Sequence, residues 1–385
     1  MFQLLQTDGG ARLGRLTTQR GTIATPAFMP VGTLGSVKGI SPRELRELGV
    51  QIILANTYHL MIRPGLGAIG ALGGLHGFNG WSGPLLTDSG GYQVFSLAPL
   101  RAISDEGAAF RSHVDGSPLF LGPRQALEAQ ATIGSDIAML FDECPPWTAD
   151  AEAVAKAVRR TVTWAKESRR FIDVARDGNG GIPDDQRHFA IVQGGASRDL
   201  RAQCAGELVA MDFDGYAIGG VSVGEPEDMM MAAVEATEPY LPRDKPRYAM
   251  GLGMPSQIVE LVARGVDMFD CVLPTRMARH GSAFTEDGVM HMHNAAFHMD
   301  PAPIESDCAC YACQTFSRAY IRHLLKSREI LGLRLVTVHN LHFYMRLMDR
   351  IRDAIAAGRF GQLRRDMAAR SQMHTASDAA DESAE

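Results

Sequence analysis

One carboxylate interrupts an apolar run near position 270, and two arginines follow it at close spacing. The run covers residues 268–273 and contains Asp270, and Pro274 is expected to end the extended stretch because proline cannot donate a hydrogen bond to a neighbouring strand. Arg276 and Arg279 come next, so a candidate nucleophile stands beside groups that bind phosphate. The alternative is a buried aspartate that caps a turn in front of a solvated loop.

Polar residues and glycines also end other apolar runs. A glycine pair lets a flat ligand approach backbone N–H and C=O groups, and a tyrosine ring can stack on such a ligand. Asp142 can accept hydrogen bonds from ring N–H groups, while Gln193 and the Gly220 N–H can donate to a carbonyl oxygen, and this pattern suits a purine such as guanine. A turn or a helix cap would explain the polar residues and glycines at the end of any one apolar run. The same explanation would have to hold at the end of every run. These ends read Asp88-Ser89-Gly90-Gly91-Tyr92, Asp142-Glu143-Cys144, Gln193-Gly194-Gly195, Gly219-Gly220 and Gly251-Leu252-Gly253.

Asp270 and Asp88 are the predicted catalytic pair. Double displacement at an anomeric carbon needs two carboxylates, one to attack and one to manage protons. A barrel glycoside hydrolase would use the same pair, but carbohydrate sites favour tryptophan platforms, and the chain offers only Trp81, Trp147 and Trp164. A non-catalytic RNA-binding module is a second alternative, and it would tolerate Asp270→Asn without loss of its activity.

A cysteine cluster near the C-terminal end is the most specific metal signal in the chain. The spacing is Cys308-x-Cys310-x2-Cys313-x25-His339. Three thiolates and one imidazole complete a tetrahedral zinc shell and leave no open position, so the predicted site is structural. Three unliganded buried thiols are the alternative. The other histidines nearby are interpreted as surface or packing residues: His291, His293, His298 and His342.

Eight short apolar runs have the length and composition of strands that are buried on both faces. Helical signals lie between them, such as Ser41-Pro42-Arg43-Glu44, which combines a cap serine, a proline at the first helical position and a capping-box glutamate. The alternation predicts an α/β fold, a (β/α)8 barrel, with a doubly wound open sheet as the alternative that spacing does not exclude. The runs are Pro26–Val31, Gln51–Ala55, Pro84–Thr87, Ile137–Phe141, Phe189–Val192, Tyr216–Ile218, Arg247–Met250 and Met268–Leu273, and further helices are expected at Asp150–Val174, Arg198–Ala210, Glu225–Tyr240 and Pro255–Ala263.

The remaining segments define the expected domain organisation. Residues 1–365 form the predicted catalytic barrel, residues 284–343 form a zinc-binding subdomain inserted near its end, and residues 371–385 read as a disordered acidic tail. Two connections are long for this fold: Phe95–Leu121, with a hairpin-like turn at Asp115-Gly116, and the polar loop Arg176–Arg187.

Charge and composition narrow the function classes. The net charge of −6 does not indicate nucleic acid, but residues 316–370 contain twelve Lys or Arg against four Asp or Glu. The N-terminus lacks the pattern of a signal peptide, and no run approaches the roughly 18 apolar residues of a membrane span. Three single cysteines and one cluster do not form a disulfide framework, so a cytoplasmic location without membrane attachment is expected.

Several long motifs follow one another along the chain. They are NTYHLMIRPG (Asn56–Gly65), GPLLTDSGGYQVFSL (Gly83–Leu97), FDECPP (Phe141–Pro146), IVQGG (Ile191–Gly195), IGGVSVGE (Ile218–Glu225), MGLGMP (Met250–Pro255), the stretch around Asp270 and the Cys3His set. In this order they resemble the bacterial tRNA-guanine transglycosylase family, from about Leu4 to Arg359. The resemblance implies an irregular TIM barrel with an inserted Cys3His zinc-binding subdomain, one structural Zn²⁺ per subunit, and a homodimer.

The same resemblance implies a reaction and a role for each site residue. Guanine 34 in the anticodon loop of tRNAs with GUN anticodons would be exchanged for preQ1 (7-aminomethyl-7-deazaguanine), with Asp270 as nucleophile and Asp88 as general acid/base. Val223 would exclude the larger queuine, and Tyr92 stands where many members have Phe. The implied base-binding residues are Ser89, Gly90, Gly91, Tyr92, Asp142, Cys144, Gln193, Gly219, Gly220 and Met250, and the implied RNA-binding residues are Gly251, Leu252, Gly253, Met254, Pro255, Ser256, Gln257, Thr275, Arg276, Met277, Ala278 and Arg279.

Overall fold

The computed structural model describes residues 1–97, 101–176 and 181–370. The expected acidic tail, residues 371–385, and part of the polar loop at 176–187 lie outside the described residues. The strands are β1 (Phe2–Asp8), β2 (Ala11–Thr18), β3 (Gly21–Thr25), β4 (Ala27–Pro30), β5 (Ile53–Ala55), β6 (Leu85–Thr87), β7 (Arg101–Ile103), β8 (Ala108–Arg111), β9 (Pro118–Leu121), β10 (Ile137–Met139), β11 (Arg187–Val192), β12 (Gly215–Ile218), β13 (Arg247–Ala249), β14 (Met268–Cys271), β15 (Ser282–Thr285) and β16 (Gly288–His291).

The helices alternate with the strands of the barrel and continue beyond the last of them. They are α1 (Pro42–Glu47), α2 (Thr57–Leu60), α3 (Leu66–Ala71), α4 (Gly74–Asn79), α5 (Gly91–Leu97), α6 (Pro123–Ile133), α7 (Ala151–Val174), α8 (Arg198–Val209), α9 (Glu227–Thr237), α10 (Pro255–Ala263), α11 (Leu273–Arg279), α12 (Tyr311–Thr315), α13 (Arg318–Lys326) and α14 (Ile330–Ala356), with short helical turns at Met61–Gly65, Glu238–Tyr240 and Ala295–His298. Among the residues that the structure describes, no helix is both long enough and apolar enough to cross a membrane.

Eight parallel strands form the barrel in chain order: β4, β5, β6, β10, β11, β12, β13 and β14. Strand β14 pairs with β4, and a parallel bridge between Val31 and Leu54 brings the two ends of the sheet together. The predicted barrel is therefore confirmed, and the open doubly wound sheet is excluded. Each of the eight predicted strands is present, with ends that differ by a few residues.

The last barrel strand ends earlier than expected. It stops at Cys271, and Pro274 lies in the first turn of α11 instead of ending an extended segment. Proline is well accommodated there because the first N–H groups of a helix have no partner within the helix. Arg276 and Arg279 consequently lie on a helix and not on a loop.

Strand alternation divides the barrel residues between two environments. Side chains such as Leu54, Leu86, Ile191 and Met268 belong to the cluster inside the barrel, whereas their chain neighbours pack outward against the helices. The antiparallel sheet β1–β3 supplies three more members of the inner cluster, Phe2, Leu16 and Ile23. This sheet immediately precedes β4, so it closes the barrel at the amino ends of the strands and leaves the carboxyl ends open.

Local sequence signals account for several helix starts. Ser41 and Glu44 form the predicted capping box at α1. Asp150 accepts from the Ala153 N–H at the start of α7, and Pro255 begins α10. The hairpin-like segment after β6 is also present, because β7, β8 and β9 form a separate antiparallel sheet.

The chain beyond the barrel forms a smaller assembly around α14. The hairpin β15–β16 and helices α12 and α13 precede this long helix, which packs against α11 next to the barrel mouth. Asn340 on α14 donates to the carbonyl oxygens of Pro274 and Ser282, and Tyr344 donates to the Gly253 oxygen at 2.5 Å. Helix α14 thus connects the cysteine cluster to the segments that carry Asp270 and Arg276.

Candidate active site

Side chains along each barrel strand alternate between the barrel interior and the surrounding helices. The same alternation determines which side chains reach the open mouth of the barrel. Two residues after an inner-face residue, the chain again points inward, and at the carboxyl ends these positions carry polar or small residues. The resulting cavity has a volume of about 820 Å³. Inner-face examples are Asn56 after Leu54, Asp88 after Leu86, Gln193 after Ile191, Met250 after Tyr248 and Asp270 after Met268.

Most of the predicted site residues line this one cavity. Gly91 does not, because it packs against the Asp142 backbone: a Cβ there would lie 2.7 Å from the Asp142 carbonyl oxygen. Those that line it are Asp88, Ser89, Gly90, Tyr92, Asp142, Cys144, Gln193, Gly219, Gly220, Met250, Gly251, Leu252, Gly253, Met254, Gln257, Asp270 and Arg276.

Asp270 is held through one of its two carboxylate oxygens. The Tyr248 hydroxyl donates to Oδ1 at 2.5 Å, and the Gly251 backbone N–H donates to the same oxygen at 2.7 Å. Among the described residues Oδ2 has no hydrogen-bond donor, and the side chain lines the cavity. Burial raises the pKa of Asp270, and the two donors act in the opposite direction by favouring the ionised form. The geometry leaves one oxygen free to react.

Asp88 is buried and accepts three hydrogen bonds from neutral donors. Asn56 Nδ2 lies 2.5 Å and Gln93 Nε2 2.9 Å from Oδ2, and the Thr57 N–H lies 2.8 Å from Oδ1. Burial raises its pKa to about 6, with a further increase from the charge on Asp270, although the three donors favour ionisation. A carboxyl group with this pKa can both take up and release a proton near neutral pH.

Asp142 and Gln193 form a second polar pair in the cavity. Gln193 Nε2 donates to Asp142 Oδ2 at 2.7 Å, and the Ser89 hydroxyl donates to Oδ1 at 3.3 Å. Burial raises the pKa of Asp142 to about 6. The Gln193 Oε1 atom is buried without a partner within the described part of the chain. A ligand that carries both donors and acceptors would satisfy these groups.

The glycines at the cavity wall are required by close contacts. A Cβ at Gly219 would lie 2.6 Å from Gln193 Nε2, and one at Gly220 would lie 2.7 Å from Gln193 Oε1. Gly220 also has a φ of +62°, which favours glycine. At Gly194 and Gly195 the neighbours are Arg201 and Val154. The glycine pair at 194–195 therefore makes room for protein side chains, whereas a ligand had been expected there.

Three further residues of the predicted base site sit at different depths. Tyr92 is 51% exposed at the cavity rim. Cys144 lines the wall, where burial raises the pKa of its thiol to about 12, so the thiol is protonated at neutral pH. Val223 also lines the cavity, and its N–H donates to the Glu225 carboxylate at 2.8 Å, as does the N–H of Ser222.

The segments predicted to contact RNA present only part of their residues. In α11, Thr275 and Ala278 are buried, while Arg276 and Arg279 are exposed. Neither arginine forms an ion pair with another described residue. The predicted RNA-binding residues outside the cavity lining are Pro255, Ser256, Thr275, Met277, Ala278 and Arg279.

Seven of the twelve basic side chains in the 316–370 stretch pair with carboxylates of described residues, six of them with partners from other segments. Arg334 pairs with Glu44, Arg350 with Glu286, and Arg364 with Glu260, and these partners are distant in sequence. Further pairs involve Arg318, Arg346, Arg352 and Arg370. The positive charge of the stretch alone is therefore a weak indication of an RNA surface.

Cys308, Cys310, Cys313 and His339 come together with all ligand atoms within 4.8 Å of one another. The three sulfur atoms lie 3.3–3.8 Å from His339 Nδ1, close to the edge lengths of a tetrahedral metal site. His339 Nε2 lies 2.7 Å from the Phe284 carbonyl oxygen, which can only accept, so Nδ1 is left free to coordinate. The four residues fit a structural metal ion. His342 Nδ1 also lies 3.4 Å from Cys308 Sγ.

Several contributors to the site were not predicted. Asn56, Gln93 and Tyr248 hold the two catalytic candidates, and Glu225 fixes the backbone at Val223. The alternation of inward and outward side chains along the strands predicts the positions of Asn56 and Tyr248, because both occupy inner-face positions. Gln93 carries no comparable signal, since its role depends on how α5 packs over the barrel.

Comparison with known proteins gives a consistent result. The family model described as "Queuine tRNA-ribosyltransferase" matches residues 7–373. Three similar relatives carry that same name. They come from Pelotomaculum thermopropionicum (54% identical, covering 93% of this chain and 94% of the relative), Symbiobacterium thermophilum (53%, 94% and 90%) and Moorella thermoacetica (54%, 95% and 96%).

Proposed function

Because the chain belongs to the queuine tRNA-ribosyltransferase family, we propose that it exchanges guanine 34 of GUN-anticodon tRNAs for preQ1. The exchange proceeds by double displacement through a covalent ribosyl-enzyme. The observation that carries this proposal is the arrangement of three carboxylates around one cavity, with Asp88 and Asp142 buried and Asp270 half-buried and held through a single oxygen.

Asp270 Oδ2 attacks C1′ of the nucleotide in the first half of the reaction. The C1′–N9 bond breaks, its electron pair stays on guanine, and protonated Asp88 supplies the proton that completes the leaving base. In the second half Asp88 takes the N9 proton of preQ1, N9 attacks C1′, and the Asp270 carboxylate is released. Protons therefore balance over one turnover. The pKa of Asp88, about 6, supports this role because both protonation states are accessible near neutral pH.

The base is recognised by Asp142, Gln193 and the Gly220 backbone N–H. Ionised Asp142 accepts from the N–H groups on the pyrimidine edge of the base, and the amide and backbone donors bind its carbonyl oxygen. Tyr92 at the rim stacks on the base. Val223 lines the cavity. In this proposal its branched side chain limits the space for the 7-substituent, which favours the aminomethyl group of preQ1 over the larger ring of queuine.

A GUN-anticodon tRNA with labelled guanine at position 34 tests the function. Label release after addition of preQ1 is followed in the wild type, in Asp270→Asn and in Asp287→Asn, an exposed control at the β15–β16 turn. We expect release by the wild type and by Asp287→Asn, with a denaturant-stable tRNA adduct, and a loss of about 10⁴-fold or more in Asp270→Asn.

Other outcomes would redirect the proposal. Release by Asp270→Asn at the wild-type rate would keep the exchange activity but move the nucleophile, with Asp88 as the next candidate. Absence of release from the wild type, with preQ1 and queuine both supplied, would contradict the exchange itself.

The Cys3His group binds Zn²⁺ as a structural ion in this proposal. Zinc, when bound, joins the segment before α13 to α14, so Cys310→Ser should lose the metal and destabilise this part of the chain without a selective effect on chemistry. Metal analysis should give one zinc per wild-type chain. Full zinc content and wild-type thermal stability in Cys310→Ser would contradict the assignment.

A further inference from the structure

Arg201 is a fully buried arginine directly behind the cavity wall. It lies in the first turn of α8, with 0% of its surface exposed. No carboxylate within the described ranges is close enough to form an ion pair with it. Burial lowers its pKa to about 10, so the guanidinium remains charged at neutral pH. A buried charge without a counter-ion is costly unless its hydrogen bonds are well satisfied.

The guanidinium is satisfied almost entirely by backbone carbonyl groups of the two adjacent strand ends. Nε donates to the Gly195 oxygen at 2.7 Å, and Nη1 and Nη2 both donate to the Gly219 oxygen at 3.2 Å. Weaker contacts reach Thr237 Oγ1 at 3.4 Å and the Gly220 oxygen at 3.5 Å. One side chain thereby joins the segments that follow β11 and β12.

The neighbouring backbone is shaped to admit this side chain. A Cβ at Gly194 would lie 2.6 Å from Arg201 Cγ and 2.7 Å from its backbone nitrogen. On the opposite face of the same wall, Gly219 and Gly220 contact the Gln193 side chain, which lines the cavity. The wall is therefore a single layer of backbone, with Arg201 on one side and the base site on the other.

We infer that Arg201 is a positioning residue for the base. By fixing the carbonyl oxygens of Gly219 and Gly220, it sets the direction of the Gly220 N–H and the place of Gln193 against Asp142. This inference rests on the proposed function, since it concerns the affinity of that site for a guanine-type base. A lysine cannot replace the arginine, because one ammonium group cannot reach the Gly195, Gly219 and Gly220 oxygens together.

Arg201→Lys tests the inference in the full-length enzyme, with Arg247→Lys as a matched control. Arg247 is also a buried arginine that donates to a backbone carbonyl, at Leu241, but it lies at the amino ends of the strands. Three quantities are measured: the KM for guanine and the KM for tRNA in base exchange, and the Kd of guanine by calorimetry without tRNA. We expect Arg201→Lys to raise the KM and the Kd for guanine about tenfold, with the KM for tRNA unchanged.

Several outcomes would overturn the inference. They are wild-type guanine affinity in Arg201→Lys, an equal rise in the KM for tRNA, or the same loss of guanine affinity in Arg247→Lys. Absence of exchange by the wild type would contradict the proposed function instead, while calorimetry would still test Arg201. If Arg201→Lys does not fold, Thr237→Val removes one acceptor, and a KM for guanine at the wild-type value would overturn the inference as well.

Discussion

Three aspartates at the amino ends of the barrel strands and three at the carboxyl ends differ in the kind of partner they have. At the amino ends, Asp136, Asp214 and Asp267 each accept a hydrogen bond from a backbone N–H at the start of the neighbouring strand. Each also has an arginine within 4 Å: Arg20, Arg187 and Arg12, respectively. At the carboxyl ends, Asp88, Asp142 and Asp270 accept only from neutral groups, namely amides, hydroxyls and backbone N–H donors.

The difference separates carboxylates that hold the barrel together from carboxylates that are available to a substrate. Burial raises the pKa of Asp267 to about 6, but Arg12 and Arg247 oppose that increase, so an ionised Asp267 is compensated. Within the described part of the chain no cation pairs with Asp88 or Asp142, whose pKa values are also about 6. Residues at functional sites commonly reduce stability in this way. A substitution of an aspartate at the amino ends should therefore lower stability and leave activity unchanged. A substitution at the carboxyl ends should lower activity without lowering stability.

The largest expected contrast is between Asp267→Asn and Asp270→Asn, two changes on the same segment of chain. Asp267→Asn leaves the buried Arg12 guanidinium without its counter-ion, so the free energy of unfolding should fall by about 3–5 kcal/mol. Asp270→Asn removes a half-buried carboxylate that has no cationic partner among the described residues, so stability should stay equal or rise. Urea unfolding followed by circular dichroism measures both.

Activity supplies the control for that contrast. Under conditions in which Asp267→Asn is folded, its base exchange per folded molecule should equal that of the wild type. Equal destabilisation by the two variants would show that the cationic partner does not distinguish the two ends, and the comparison would fail.

Asp88→Asn sharpens the comparison through the pH dependence of stability. The pKa of Asp88 is about 6 in the folded state against 3.8 for the ordinary group. Between these values the folded state holds a proton that the unfolded state has released, so the wild type loses stability as the pH rises from about 4 to about 6. The loss should approach 3 kcal/mol. Asp88→Asn should lack this part of the decline, measured as the difference between the two unfolding curves.

Asp287→Asn provides the control for the pH experiment, because Asp287 is exposed and its removal should leave the decline unchanged. Asp142 and Asp267, whose pKa values burial also raises to about 6, keep their parts of the decline in Asp88→Asn. A decline in Asp88→Asn as large as that of the wild type would mean that Asp88 is ionised in the folded protein throughout this range. In that case its proposed role as a proton donor in the first half of the reaction would lose its support.

The sequence predicts well which carboxylates reach the cavity, because one rule determines their positions. Short buried strands and their polar ends are encoded within a few residues, and the barrel brings those ends together. Asp88, Asp142, Gln193 and Asp270 were found in this way, and helix starts such as Ser41 follow from local capping patterns.

Contacts between distant segments could not be predicted in the same manner. Arg12 and Asp267 are 255 positions apart, and Arg201 reaches its acceptors only because Gly194 lets α8 approach the wall. The basic stretch at 316–370 is a weaker indication of an RNA surface than its local charge suggests for the same reason, since several of its arginines pair with Glu44, Glu260 and Glu286, which lie far away in the sequence. Such pairs depend on how elements pack after the barrel has closed.

The smallest expected effect concerns cations at the open end. Arg276 and Arg279 are exposed on α11 and form no ion pair within the described residues, in contrast to the paired Arg12 at the closed end. Arg276→Ala should weaken tRNA binding and reduce the slope of log K against log salt concentration by about 1, because one phosphate contact is lost. Arg350→Ala is the matched control, since Arg350 is already paired with Glu286 and should contribute little to the slope. A larger reduction of this salt slope in Arg350→Ala than in Arg276→Ala would assign the RNA contact to the basic stretch. Unpaired cations would then no longer distinguish the open end of the barrel.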